Sequence, residues 1–120
     1  MSENVVREKS NVFALRIVRL YKYLCDEKSE YVLSKQALLA GTYIGAHIKE
    51  AGHAESRAVF IKEMAIALRK ASETEYWLQL LYEAEYLDEK AHKSIAADCL
   101  ELIKLLTSIV KTSKTNTEEL

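Results

Sequence analysis

The chain has 120 residues, enough for one domain with a real core and short for two. Hydrophobic residues make up 49% and charged residues 29%, the balance of a soluble globular protein, and the formal net charge of −1 argues against a strongly basic nucleic-acid binder. Nothing reads as a signal peptide or a membrane span, and the two cysteines, Cys25 and Cys99, have no metal-ligand spacing, so a reduced, cytoplasmic setting is expected.

Residues 1–9 are polar and are expected to be loose, with Ser10 capping the first helix. Phe13, Ile17, Leu20 and Leu24 then step by four, three and four, the stripe of a helix that runs to about Lys28. A second helix begins near Ser29 or Tyr31 and carries Leu33, Ala37, Ala40, Ile44, Ile48 and Ala51, with Gly52 as a left-handed stop. The third opens at or just before Ser56. It keeps a strict four-three alternation through Phe60, Met64, Ala67, Ala71, Thr74, Leu78 and Leu81, and ends near Tyr86. Asp88 caps the fourth, whose stripe is Ile95, Cys99, Leu102, Leu106 and Ile109, ending near Lys111. A period of two persists nowhere, and the connections are short. The expected architecture is an all-α, antiparallel up-down-up-down four-helix bundle over residues 10–111, followed by a polar tail, residues 112–120.

All three glycines fall in "GTYIGAHIKEAG", and there is no proline. Gly41 and Gly45 sit inside the second helix, where each costs about 1 kcal/mol relative to alanine. A phosphate loop would need a preceding strand and a basic neighbour, and both are missing. A hinge would not preserve the apolar rhythm through Ile44 and Ile48. Ala37, Gly41 and Gly45 are therefore expected to form a smooth notch for close helix packing.

On the third helix Ile66, Glu73, Trp77, Leu80 and Ala84 fall away from the main stripe. A lone bundle has no use for a tryptophan there. Either loops and helix ends cover it or these residues form a subunit interface, the reading favoured here. Charge is uneven as well. Residues 1–24 hold five cations against Glu3 and Glu8, a balance of +3, whereas residues 61–90 hold four cations against seven acids, a balance of −3. Lys9, Arg16, Arg19 and Lys22, with Tyr23 among them, form the candidate nucleic-acid strip: cations for phosphates and a ring to stack on a base. The alternative is a solvated face whose cations pair with acids of the third helix or of an adjacent copy.

Two Glu-x-x-His motifs, Glu50 to His53 and Glu89 to His92, invite comparison with carboxylate-bridged di-iron bundles. They fail that test, because one motif ends the second helix and the other begins the fourth, at opposite ends of a bundle in which those helices run parallel. Neither cysteine has a histidine nearby in sequence, and Cys99 occupies a core position. No catalytic residue, metal site, cofactor or small-molecule substrate is indicated.

The runs "FALRIVRLYKYL", "LLAGTYIGAHIKEAGHAESRAVFI" and "IALRKASETEYWLQLL" resemble the four-helix-bundle family encoded by intervening sequences in bacterial 23S ribosomal RNA genes, with the accessory proteins of diversity-generating retroelements as apparent relatives. The resemblance spans all four helices. It implies a small bundle that assembles with itself as a ring, usually a homopentamer, without enzymatic activity and with RNA or DNA as a proposed ligand of the more basic relatives. Leu39 stands where that pattern usually has arginine, His47 where asparagine is usual, and Val59 where aspartate is common. The function expected is thus a homo-oligomeric scaffold or adaptor with RNA or DNA as ligand. The alternative is a protein-interaction module that binds no nucleic acid.

Overall fold

The computed structural model describes the backbone of residues 2–119 and the side chains of residues 4–115. Four helices follow in order: α1 (Ser2–Lys28), α2 (Leu33–Ala51), α3 (Arg57–Glu83) and α4 (Glu89–Glu119), with no strand among the described residues. Among the described residues the backbone of each helix lies close to those of its two neighbours in the cycle α1–α2–α3–α4, and the diagonal pairs are farther apart. The result is an antiparallel bundle of 52 × 22 × 20 Å.

The helices outrun the expected boundaries at both ends. The segment 1–9, expected to be loose, is helical from Ser2, and Val6 is fully buried. Ser10, expected as a cap, lies inside the helix and inside the core, its hydroxyl donating to the carbonyl of Arg7 at 2.8 Å. The cause is continuity of pattern: Val6 and Ser10 extend the Phe13–Ile17 stripe backwards, and nothing before them breaks a helix. At the other end α4 runs beyond Lys111 to Glu119, with Val110 and Ser113 buried. A polar sequence without glycine or proline contains no stop. Met1 and Leu120 lie outside the described residues.

Caps explain the connections. Ser56 accepts from the Val59 N–H at 3.2 Å and Asp88 from the Ala91 N–H at 2.7 Å, as expected for α3 and α4. The start of α2 is different. Val32 occupies the cap position without a side-chain bond, and Glu30, two residues earlier, takes over. Its carboxylate accepts from the backbone N–H groups of Val32, Leu33 and Ser34 at 3.0, 2.9 and 2.6 Å, while the Ser34 hydroxyl donates back to the Glu30 carbonyl at 2.8 Å. Burial pushes the Glu30 carboxyl up, but the three N–H donors outweigh it and hold the group below its ordinary value.

Gly52 does not take the expected left-handed form. It stays right-handed at φ −65°, ψ −18°, and its N–H closes onto the Ile48 and Lys49 carbonyls at 3.2 and 3.1 Å. The left-handed residues are instead Ser29 (φ 51°) and Glu85 (φ 69°). There the following N–H groups, of Glu30 and Tyr86, reach back to the Leu24 and Leu81 carbonyls at 3.0 and 2.9 Å and close α1 and α3.

The core is one main cluster, including Phe13, Ile17, Ile44, Met64, Leu78 and Leu106, and a smaller one of Leu24, Ala37, Leu81 and Leu87. The glycine notch is half realised. A Cβ on Gly41 would stand 2.8 Å from Ile17 Cγ1 and 3.0 Å from Cγ2, so α1 sits against bare backbone there. Ala37, one turn earlier, is buried beside Leu24. At Gly45 the nearest atom, Ser10 Oγ, would be 3.5 Å away, ordinary contact with room for a methyl group.

Candidate interaction surfaces

The basic strip of α1 divides in two. Lys9 meets Glu101 at 3.2 Å. Arg16 meets Asp98 at 2.6 Å and donates to the hydroxyl and carbonyl of Ser94 at 3.0 and 3.4 Å. Both partners come from α4, not from α3, because α1 and α3 are diagonal in the bundle. These pairs are partly exposed, and such pairs contribute about 0–1 kcal/mol each. Arg19 and Lys22 are exposed and make no ion pair among the described residues. Tyr23 is exposed beside a groove of about 450 Å3 that Arg16, Arg19, Leu87 and Asp88 also line. A carboxylate at its rim works against phosphate, so Lys9 and Arg16 are committed within the protomer, and Arg19 and Tyr23 line a groove of mixed charge.

The residues singled out on α3 come together on one flank. Ile66, Glu73, Trp77 and Leu80 fall within an arc of about 60° by helical geometry, and all are half-buried. Ala84 lies one residue past the end of α3 and is exposed. Trp77 packs against the Leu24–Ala37–Leu81–Leu87 cluster and meets Tyr76 edge-on at 5.0 Å, so the protomer covers part of its ring. Glu73 pairs with Lys70 at 3.4 Å. That flank faces α2. The His47 ring reaches Glu63 at 2.7 Å, and the Lys70 ammonium lies 5.7 Å from the Tyr43 ring. Along the α2 side of the same seam, Val32, Leu39 and Tyr43 are 70%, 37% and 44% exposed. The sequence pattern points to the α3 residues of this flank and not to the exposed α2 residues beside them. The available signal was Leu39, an apolar residue where the resembling family carries arginine.

A second exposed apolar row lies on the opposite side of the bundle. Val5, Val12 and Leu15 on the outer face of α1 are 42%, 61% and 55% exposed. Val5 and Val12 border the α1–α4 seam, in a groove shared with Lys9, Asp98 and Glu101.

The chemistry-bearing residues do not assemble. Glu50 and His53 close the end of α2, whereas Glu89 and His92 open α4 at the far end of the bundle, and His92 stacks flat on Tyr82 at 4.5 Å. Among the described residues no group of three or more His, Cys, Asp or Glu side chains is placed to hold a metal ion. Cys99 is fully buried, with its sulfur 3.3 Å from the Ala71 carbonyl; burial, and secondarily the charge of Glu75, push its pKa to about 12. It behaves as a small hydrophobic residue. Among the described residues no helix is long and apolar enough to cross a membrane.

Comparison with known proteins agrees with the architecture. No curated protein matches the chain. A solved structure does: a protein of unknown function of the S23 ribosomal protein family from Bacteroides thetaiotaomicron, which is 54% identical to this chain. The match covers 92% of this chain and 99% of that one, with a TM-score of 0.91. The family model described as "23S rRNA-intervening sequence protein" matches residues 2–108. Four helices, their order and nearly the whole length thus agree, and the chain belongs to the 23S rRNA-intervening sequence protein family.

Proposed function

We propose that this protein is a non-catalytic scaffold that assembles with copies of itself. The α2–α3 face of one copy packs on the outer α1 face of the next. The observation that carries this reading is the apolar α2–α3 face, where exposed Val32, Leu39 and Tyr43 adjoin half-buried Ile66, Trp77 and Leu80. Tyr43 and Trp77 within an apolar face support a subunit contact, because aromatic side chains are enriched there. The complementary row, Val5, Val12 and Leu15, lies on the far side of the bundle. Two different faces on opposite sides give a head-to-tail contact, which forms a ring where the rotation closes. The +3 balance of residues 1–24 and the −3 balance of residues 61–90 favour the same docking. Five copies is the number that the family resemblance implies.

RNA or DNA as a ligand of the ring is the second reading. It rests on Arg19, Lys22 and Tyr23, because Lys9 and Arg16 are already paired with α4. Repetition around a ring would multiply this modest patch through effective concentration.

Light scattering at micromolar concentration tests the scaffold. The parent protein is expected to be oligomeric, and Leu39→Lys or Tyr43→Glu to dissociate it while circular dichroism stays helical. A monomeric parent overturns the reading. For the ligand, Arg19→Gln with Lys22→Gln is expected to abolish RNA binding at low salt and leave assembly intact. A parent that binds no RNA leaves the protein-only scaffold.

A further inference from the structure

A cleft lies apart from both assembly faces, where the first turns of α1 meet the last turns of α2. It encloses about 650 Å3, within the range of about 300–1,000 Å3 typical of small-molecule sites. Its charged lining is of one sign, Arg7 and Lys49, with the His53 ring beside them and without a carboxylate among the described residues. Apart from one long contact of 3.5 Å between Arg7 and Asn4, these three side chains have no hydrogen-bond or ion-pair partner among the described residues. Elsewhere on α1, Lys9 and Arg16 find acids on α4. Arg19 and Lys22 are also unpaired among the described residues, but Arg19 shares its groove with the carboxylate of Asp88 rather than a lining free of acids. The last turn of α2 brings a partial negative charge of about one half, less than Arg7 and Lys49 alone supply. Asn11 adds a neutral amide at the wall, the Thr42 hydroxyl is committed to the Leu38 carbonyl at 2.7 Å, and Ile48, Phe60 and Met64 form an apolar floor.

Gly45 is the second observation. A glycine inside a helix costs about 1 kcal/mol relative to alanine. At Gly41 packing explains it, because Ile17 occupies the place of the missing Cβ. At Gly45 packing does not, since a methyl group would fit at 3.5 Å from Ser10 and 3.8 Å from Asn11. Gly45 lines the cleft. A methyl group here would take space at the cleft wall beside Ser10 and Asn11, and the packing of the bundle does not exclude it.

We propose that this cleft binds a phosphate monoester with an apolar or aromatic body. The phosphate sits against Arg7, Lys49 and His53, and the body lies on Ile48, Phe60 and Met64. Arg7 offers a planar fork to two phosphate oxygens, Lys49 a point charge, and His53 a ring N–H. The inference is independent of the scaffold reading, since the α1–α2 seam belongs to neither assembly face.

Calorimetric titration of the full chain at low salt tests it, with adenosine 5′-monophosphate, inorganic phosphate and adenosine as probes. The monophosphate is expected to bind, phosphate to bind more weakly, and adenosine to give no heat. Arg7→Gln and Lys49→Gln are each expected to weaken monophosphate binding by about tenfold, the loss typical of one charge-assisted hydrogen bond. Gly45→Ala is expected to weaken it while the melting temperature stays level or rises, a combination that misfolding cannot produce. Competition by a 5′-phosphorylated oligoribonucleotide assigns the ester to a nucleic-acid end, and failure to compete assigns it to a free small molecule. Adenosine binding as tightly as the monophosphate overturns the proposal. So does monophosphate binding that is absent, or unchanged in both Arg7→Gln and Lys49→Gln.

Discussion

Helix α1 has two seams, and they are built on different physics. Toward α2 it presents Ile17 to the bare backbone of Gly41, an apolar contact with no space for one more carbon. Toward α4 it presents Lys9 and Arg16 to Glu101 and Asp98, in partly exposed ion pairs beside an open groove. The first contact is specific through shape, and the second through charge that water and salt can screen. At Ile17 the helix is therefore held by shape, and along Lys9 and Arg16 by charge. The charged side is the one that carries the exposed row of Val5 and Val12.

Breaking the α2 side should cost most. Gly41→Leu is expected to destabilise the protein by about 3 kcal/mol through overpacking, read as a lower denaturation midpoint. Ile17→Ala is expected to lose about 2–5 kcal/mol by opening a cavity. Combined with Gly41→Ala, it should show a loss smaller than the sum, because the alanine methyl enters the space that Ile17 leaves. Additivity would mean that the two residues do not share one space.

The entrance to the same seam offers an intermediate effect. Glu30→Ala removes the acceptor for three N–H groups at the start of α2 and is expected to cost about 1–2 kcal/mol. Its folded-state pKa lies below the ordinary value of 4.5. The contribution is therefore complete above that value and disappears as pH falls from 4.5 through the lower folded value. Acid titration of stability should accordingly flatten in this window for Glu30→Ala. An unchanged acid profile would show that the carboxylate is not charged in the cap.

The α4 side should yield least. Arg16→Gln is expected to change stability by no more than about 1 kcal/mol, and the difference from the parent should shrink as salt is raised. A loss as large as that at Gly41, insensitive to salt, would place Arg16 in a desolvated contact and erase the contrast between the seams.

What the sequence disclosed follows from the range of each interaction. The four stripes were legible because a buried helix face repeats locally, and so were the caps at Ser56 and Asp88, which act within their own turn. Gly41 was legible because a glycine amid an unbroken apolar rhythm leaves few explanations. The helical run before Ser10 and the extension past Lys111 were not, because polar residues are as compatible with an exposed helix as with a loose end. Glu30 escaped because its carboxylate reaches forward past Tyr31 from a connecting segment. The pairing of Arg16 with Asp98 escaped because it depends on which helices are neighbours, information that periodicity within one helix does not hold.

The burial of Cys99 makes the chain its own clock. Burial pushes its thiol pKa up to about 12 and keeps the group protonated and out of reach of reagents at about pH 8. An alkylating reagent should consume half-buried Cys25 first and then wait. Each later modification marks a moment when α3 and α4 have parted far enough to admit solvent to the sulfur. The slow phase of labelling therefore counts openings of the bundle in the intact protein, without a probe having been added to it.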